Sequence, residues 1–209
     1  MATVYLAETE PDRNSILSDW VASQYWGSDE DIEIVGSYHF DDTEGSIMLE
    51  GSIMLEGFIL HQGERFLHVP VTYRLKPLAG ADSYLVAEME HPAVGHLWIY
   101  DALADPVAVH LLNLAIAGEI QQAVPYFYNA DGQYLGSEES NITLIVRGEV
   151  PEPWGQVGAH HVLLPDQTES TTRRIVAMWD SGQSTIYELL APQPTSDETT
   201  TPEETGSID

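Results

Sequence analysis

Residues 68–109 decide the fold, and they read HVPVTYRLKPLAGADSYLVAEMEHPAVGHLWIYDALADPVAV. Apolar and β-branched residues dominate residues 65–75 and 83–90, so both segments are predicted strands. Residues 77–81, which contain proline and glycine, separate these strands as a turn. Residues 98–101 form a further short extended segment, and such a succession of strands and turns is typical of an antiparallel sheet.

Two helices are predicted on either side of these strands. Asp105 is a strong helix start because its side chain can cap free backbone N–H groups, and the following Pro106 suits the first turn. We expect this helix to continue to the residue before Pro125. An upstream helix is expected over residues 12–26, where apolar residues recur at helical spacing until Gly27 stops it.

The rest of the chain is mostly of strand type. Two helices among eight or more strands, without strand–helix–strand alternation, indicate an α+β, mainly-β antiparallel domain with about two helices packed on its sheet. We place this single domain at residues 1–191. Residues 192–209 carry five acidic residues and no basic ones, so we expect a disordered acidic tail. Further strands are predicted at residues 3–7, 32–40, 57–61, 126–129, 142–146, 160–164, 173–180 and 185–190.

A short tandem repeat lies before the central strands. Residues 45–50 read GSIMLE and residues 51–56 repeat the same six letters. Six is an even number, so the insertion keeps each side chain of a strand on its original face. The repeat therefore indicates a duplication that lengthens a hairpin without changing the core.

The charge balance is strongly acidic. Seven lysine and arginine residues stand against 34 aspartate and glutamate residues, which gives a formal net charge of −27. Nucleic acid is not expected as a partner, because phosphate binding requires basic side chains, and anionic membranes are disfavoured for the same reason. A salt-tolerant host explains such acidity, and a specific basic partner is the alternative explanation.

The sequence also limits the cellular setting. It contains no cysteine, so it forms neither disulfides nor thiolate metal sites. The first residues lack the basic and apolar regions of a signal peptide, and no apolar run approaches the length of about 18 residues that a membrane span needs. We therefore expect a cytoplasmic protein.

The central stretch contains the motifs VPVTYR at residues 69–74, PLAGA at 77–81, Glu90-His91 with Gly95, WIYD at 98–101 and Asp105-Pro106. Together they resemble the N-terminal cap domain of actinobacterial maltokinases and the stand-alone proteins similar to it. A fainter match lies upstream, where WVASQYWG at residues 20–27 resembles the W-L-x-x-Q-R-W-F run that opens maltokinases, with Tyr25 and Gly27 in place of arginine and phenylalanine. The resemblance extends over about the first 125 residues and implies a curved antiparallel sheet with helices against it.

The resemblance implies an accessory role rather than phosphoryl transfer. A kinase needs a lysine for the phosphates, an aspartate base and a carboxylate for magnesium. Here the lone Lys76 lies in a turn-like Leu-Lys-Pro, and no histidine-glycine-aspartate loop occurs. The expected function is a non-catalytic cap-like module that serves an enzyme of glucan, trehalose, maltose or amino-sugar metabolism, such as a separate kinase polypeptide. We expect no cofactor.

Two alternatives remain open at this point. One is a stand-alone protein that binds a carbohydrate or a sugar phosphate, because sugars bind on exposed aromatic faces flanked by carboxylates; Trp154 is a further candidate for such exposure. The other is an enzyme that uses Glu88, Glu90 and His91 for acid–base chemistry. The candidate ligand-binding residues are Arg74, Glu90, His91, Trp98 and Asp101.

Each candidate also has a purely structural explanation. Glu88 and Glu90 share one face of a strand, as a solvated strand face would in so acidic a protein. Asp105 is sufficiently explained as a helix cap. The adjacent His160 and His161 diverge on a strand, so we expect no metal site, and we assign no catalytic residue.

Overall fold

The structure is a computed structural model, and it describes residues 2–6, 8–41, 53–150, 155–165 and 170–190. The first copy of the hexapeptide repeat, Trp154 and the acidic tail at residues 192–209 lie outside the described residues. Within the described part, thirteen strands and two α-helices confirm the mainly-β, α+β fold class.

The helices are α1 (Arg13–Ser23) and α2 (Pro106–Ala117), with single 3₁₀ turns at Asp82–Tyr84 and Ala102–Ala104. The strands are β1 (Ala2–Tyr5), β2 (Ile32–Asp41), β3 (Met54–Gln62), β4 (Arg65–Arg74), β5 (Leu85–His91), β6 (Gly95–Asp101), β7 (Pro125–Tyr128), β8 (Tyr134–Ser137), β9 (Thr143–Arg147), β10 (Gln156–Ala159), β11 (Val162–Leu163), β12 (Arg174–Trp179) and β13 (Gly182–Leu190). In this part of the chain, no helix is both long and apolar enough to cross a membrane.

The described strands form three sheets. The largest has the order β2-β3-β4-β6-β5, with β11 paired to the first half of β4, and all its pairs are antiparallel. A four-stranded antiparallel sheet follows the order β10-β13-β12-β9. The third sheet has the order β1-β7-β8, and its β1 and β7 run parallel, a long-range pairing that the local sequence pattern does not indicate.

The largest sheet has a hydrophobic core on each of its faces. Successive residues of a strand point to opposite sides, and in β3 the side chains of Leu55 and Ile59 enter one core while Phe58 and Leu60 enter the other. The first core also contains α2 and the four-stranded sheet, and the second contains the apolar side of α1. The β2–β6 sheet is therefore the middle layer of the molecule.

Helix α2 ends earlier than the sequence pattern predicts. The predicted end before Pro125 is wrong, because Gly118 adopts the left-handed conformation with φ 88° and closes the helix after Ala117. The guanidinium of Arg173 then donates to the carbonyl oxygens of Ile116 and Ala117, at 2.7 and 2.8 Å. These bonds satisfy carbonyl groups that a longer helix would have used internally.

Helix α1 begins as predicted and is slightly shorter. The Asp12 side chain accepts hydrogen bonds from the backbone N–H groups of Asn14 and Ser15. The helix ends at Ser23, and the buried Trp26 lies beyond it in the core beneath the β2–β6 sheet.

Candidate ligand-binding face

Five side chains from three neighbouring strands share one face of the β2–β6 sheet. Trp98 on β6 lies opposite Arg74 on β4 and opposite Glu88 on β5, and His96 on β6 lies opposite Glu90 on β5. Directly opposed residues of antiparallel strands project from the same side of a sheet. We call this group (Arg74, Glu88, Glu90, His96 and Trp98) the Trp98 face.

His96 is clamped between two carboxylates. Its Nδ1 lies 2.6 Å from Glu90 Oε1, and its Nε2 lies 2.8 Å from Glu88 Oε2. The hydrogen bonds with Glu90 and then Glu88 raise the pKa of His96 and favour its charged form. The two glutamate side chains are 69% and 52% exposed, so water screens the attraction, and the clamp orders the imidazole more than it stabilises the fold.

The ordered imidazole in turn contacts the tryptophan. The rings of His96 and Trp98 meet edge to face, with centroids 4.3 Å apart and an interplanar angle of 65°. The Trp98 side chain is only partly buried, so part of its ring remains open to solvent. An aromatic surface flanked by two carboxylates is the arrangement that sugars use in proteins, through stacking and hydroxyl hydrogen bonds.

Arg74 borders this face, but its guanidinium is already engaged. Its Nε and Nη2 donate to the two carboxylate oxygens of Asp105 at 2.5 and 2.6 Å, and the Thr72 hydroxyl donates to the same carboxylate at 3.1 Å. Asp105 is fully buried and also accepts from the backbone N–H of Val107, at 3.0 Å, as the N-cap of α2. The Asp105 carboxylate therefore caps the start of α2 and also pairs with Arg74 on β4.

Asp101 is not part of the Trp98 face. Residues alternate along β6, so Asp101 points to the side opposite Trp98. Its carboxylate accepts from the backbone N–H of Leu103 at 2.9 Å and caps the short 3₁₀ turn before α2. Burial raises the pKa of Asp101, against the opposing effects of the Leu103 hydrogen bond and of His161.

His91 is also placed elsewhere. It is buried, its Nδ1 accepts from the backbone N–H of Ala93 at 3.1 Å, and its ring meets the edge of the Tyr5 ring at 6.0 Å. Because β5 alternates, His91 lies on the opposite face from Glu88 and Glu90. Of the predicted ligand-binding residues, the structure thus brings together Arg74, Glu90 and Trp98 and leaves out Asp101 and His91.

Sequence reasoning missed His96 as a member of the face. The sequence pattern predicts an extended segment only from Trp98, whereas β6 begins at Gly95, so the predicted segment does not include His96. The available signal was its spacing of two residues from Trp98, which places both on the same side of a strand.

A separate polar cluster is closed inside the core beneath α1. The carboxylate of Glu56 accepts from the Tyr73 hydroxyl at 3.1 Å and lies 3.2 Å from His39 Nε2 and 3.6 Å from Arg13 Nη1. Burial alone would raise the pKa of Glu56, but the Arg13 guanidinium and His39 lower it to about 2. The cluster fixes the first turn of α1 on the sheet, and Glu56 is too buried to meet a ligand.

A buried chain of polar rings joins the largest sheet to the four-stranded sheet. The Tyr38 hydroxyl is hydrogen-bonded to the Tyr187 hydroxyl at 2.9 Å and to His68 Nε2 at 2.7 Å, while His68 Nδ1 donates to the carbonyl of His160 at 3.1 Å. Burial lowers the pKa of His68 to about 3, so its imidazole is neutral at physiological pH. These bonds satisfy polar groups that would otherwise be costly inside the core.

The two adjacent histidines have different surroundings. His161 stacks on Trp26 with ring centroids 4.6 Å apart, whereas His160 Nε2 lies 3.2 Å from Glu188 Oε1. Over the described ranges, the structure shows no group of three or more histidine, aspartate or glutamate residues that could hold a metal ion.

Residues 20–105 match the family model of the maltokinase N-terminal cap domain. This match confirms the resemblance noted in the sequence, over a segment that begins inside α1, contains β2 to β6 and ends at the N-cap of α2. It covers less than half of the 209 residues. No curated protein and no solved structure matches the chain.

The cap segment, residues 20–105, contains every member of the Trp98 face. It also contains Asp105, the last matched residue, which pairs with Arg74. The four-stranded sheet, the three-stranded sheet and the body of α2 all lie outside the match.

Proposed function

We propose that the chain is a cap-type module that serves an enzyme of glucan, trehalose, maltose or amino-sugar metabolism as an accessory or regulatory partner. The observation that carries this proposal is the match of residues 20–105 to the maltokinase cap domain. In this proposal the module does not transfer phosphate itself. The partner enzyme, such as a separate kinase polypeptide, performs the chemistry.

The packing of the cap segment supports action as a separate module. Its sheet is covered on one face by α1 and on the other by α2 and the four-stranded sheet of the same chain. The buried Tyr38–Tyr187 contact ties the matched segment to that later sheet. The residues after the match are therefore used to bury the cap sheet, and the surface that remains is available to a partner.

The proposal is tested by reconstitution with purified enzymes. The full chain is mixed with a maltokinase-type kinase, and separately with the trehalose and glucan enzymes, encoded in the same genome. We expect one of them to form a complex by light scattering and calorimetry and to change its kcat or KM on binding. An unrelated acidic protein of similar net charge is the control. If no enzyme binds and no rate changes, the proposal is wrong.

The Trp98 face favours a second candidate function, a stand-alone carbohydrate-binding protein. A neutral sugar suits this face better than a sugar phosphate, because the Arg74 guanidinium is bonded to Asp105 and the His96 imidazole is bonded to two glutamates. A phosphate would have to displace one of these pairs. We therefore expect maltose and trehalose to bind this face more tightly than their phosphate esters do.

Tryptophan fluorescence tests this second function. The full chain is titrated with glucose, maltose, trehalose, glucosamine and glucose 6-phosphate. Binding at the face predicts a saturable change that Trp98→Phe abolishes. Trp179→Phe is the control and should retain the change, because Trp179 lies outside the face and packs against the core that contains α2. No change with any sugar would exclude it.

The third hypothesis, an enzyme that uses Glu88, Glu90 and His91, has no geometric support. The two glutamates are exposed and bonded to His96, while His91 is buried on the opposite face of β5. The three groups therefore do not converge on a common reacting atom.

A further inference from the structure

The three-stranded sheet carries four tyrosines on one face. Tyr5, Tyr128 and Tyr134 are directly opposed across β1, β7 and β8, and Tyr126 lies two residues before Tyr128 on the same side. The ring centroids of Tyr5 and Tyr128 are 5.8 Å apart, those of Tyr128 and Tyr134 are 5.6 Å apart, and those of Tyr126 and Tyr134 are 6.1 Å apart. We call these four residues the tyrosine ladder.

The tyrosine ladder lies on the more exposed side of its sheet. The opposite side is buried through Ala2, Val4 and Pro125, whereas Tyr134 is 54% exposed and the other three tyrosines are half-buried. Four of the ten large hydrophobic residues exposed in the described part of the chain belong to this sheet or adjoin it. They are Leu6, Val124, Tyr134 and Leu135. A local concentration of exposed apolar and aromatic residues is typical of an interaction surface, whereas single exposed residues are not.

The charges around the tyrosine ladder are negative. Asp131 lies in the turn before β8, and Glu138 and Glu139 follow it directly, all three exposed. Each of the seven lysine and arginine residues of the protein has an interaction partner within the chain. A partner that brings positive charge complements this surface.

We propose that the tyrosine ladder is the contact surface for an arginine-bearing segment of a partner protein. A guanidinium stacks on tyrosine rings and can at the same time pair with a neighbouring carboxylate, which an ammonium group does less well. This inference rests on the proposed accessory function and names the surface and the kind of partner segment that it uses.

Two other occupants fit the surface less well. A second copy of the chain carries the same net charge of −27, so two copies repel each other. An added β-strand is disfavoured at the edge strand β8, because β8 has only four residues and its register with β7 shifts between Phe127 and Tyr128. The face of the sheet, rather than its edge, is therefore the contact surface.

The first test uses the full chain labelled with ¹³C-tyrosine and the blocked tripeptides Arg-Gly-Arg and Lys-Gly-Lys. We expect saturable shifts of the ladder ring signals with Arg-Gly-Arg, about threefold weaker binding of Lys-Gly-Lys, and loss of both effects in high salt. Tyr84 is the internal control, since it is 51% exposed and lies outside the ladder. The inference is wrong if no tyrosine responds, if Tyr84 responds equally, or if ladder signals broaden with protein concentration alone.

The second test uses the complex with the partner enzyme. Tyr134→Ala should weaken the complex about fivefold or more, Tyr84→Ala should leave it within about twofold, and the double variant Glu138→Gln/Glu139→Gln should reduce its salt dependence. Equal effects of the two tyrosine variants would overturn the inference while the accessory function stands. If no enzyme binds the chain, the accessory function fails and the tripeptide experiment decides the inference alone.

Discussion

At the scale of single residues, the protein places its few basic side chains where they hold structure together. Arg74 pairs with Asp105, Arg173 closes the end of α2, and Arg13 lies over the buried Glu56. Each joins segments that are distant in sequence. Because these positions are structural, we expect their substitution to affect stability before it affects binding.

The Arg74–Asp105 pair gives the sharpest prediction at this scale. Asp105→Asn keeps a good helix cap but removes the anion from a largely buried guanidinium, which we expect to cost about 3 kcal/mol in urea unfolding. Asp12→Asn, the same change at the exposed cap of α1, is the matched control and should leave the free energy of unfolding nearly unchanged, because asparagine caps a helix about as well as aspartate. Equal losses at the two caps would contradict the assigned role of the ion pair.

His68 predicts a specific pH dependence of stability. Its pKa is about 3 in the folded protein and 6.5 in the unfolded chain, so below pH 6.5 only the unfolded state binds this proton. The free energy of unfolding should therefore fall by about 1.4 kcal/mol per pH unit as pH decreases from 6.5 toward 3. Glu56, with a pKa lowered from 4.5 to about 2, adds a loss only below pH 4.5.

The contribution of His68 is isolated by comparing urea unfolding at pH 7 and pH 5. His68→Gln should reduce the difference between the two pH values, because glutamine does not titrate. His96→Gln is the control. The raised pKa of His96 adds stability at low pH that is lost as pH rises, so His96 makes the difference between pH 7 and pH 5 smaller. Its removal therefore cannot reduce that difference. An unchanged pH dependence in His68→Gln would show that other groups cause it.

At the scale of secondary-structure elements, β3 shows how the chain accommodates its repeated hexapeptide. The end of the second copy lies in β3 and pairs with both neighbouring strands. Leu55 lies opposite Phe40 on β2 and Thr72 on β4, and Glu56 lies opposite His39 and Val71 on the same two strands. One copy of the hexapeptide is sufficient to supply these residues directly before Gly57. Gly57 itself is required because a Cβ there would lie 2.1 Å from the Tyr38 ring.

Deletion of residues 45–50 should therefore leave β3 unchanged. The remaining copy still precedes Gly57, and loop length has only a weak effect on stability, so we expect a change of less than about 1 kcal/mol in thermal unfolding. Leu55→Asn in the intact chain is the destabilising comparison, since it buries an amide in the core. A deletion that lowers stability as much as Leu55→Asn would mean that both copies are needed.

The secondary-structure elements also show which features of the fold local sequence patterns predict and which they do not. Asp105-Pro106 correctly marked the start of α2, but its end at Gly118 was missed because apolar residues continue on both sides of that glycine. The strands β8 and β10 were not predicted, since both have only four residues and contain glycine. Motifs in the sequence indicated Arg74, Glu90 and Trp98, whereas the Arg74–Asp105 pair depends on strand pairing that no local pattern contains.

At the scale of the whole molecule, 34 acidic residues against seven basic ones leave a formal net charge of −27. Folding brings these carboxylates closer together, and their mutual repulsion opposes the compact state. Both explanations of the acidity, a saline host and a basic partner, supply positive charge from outside the chain. The isolated chain should thus be least stable in dilute buffer, where neither salt nor a basic partner supplies positive charge.

We therefore expect the free energy of unfolding to rise with sodium chloride between 0.05 and 1 M, as the screening length falls from more than about 10 Å to about 3 Å. Urea unfolding at each salt concentration measures the effect. Potassium chloride should act equally, because screening depends on ionic strength and not on the cation. Stability that is independent of salt would show that the surface charges are too dispersed to interact.

The middle position of the β2–β6 sheet also determines where this protein can change over evolutionary time. The side chains of β3 pack alternately into the two cores, so a substitution at most of its positions disturbs one core or the other. The four-residue strands β7 and β8, by contrast, can exchange their outward side chains without repacking either core. New partners can thus be acquired through changes at the outward side chains of β7 and β8 with little effect on the central layer.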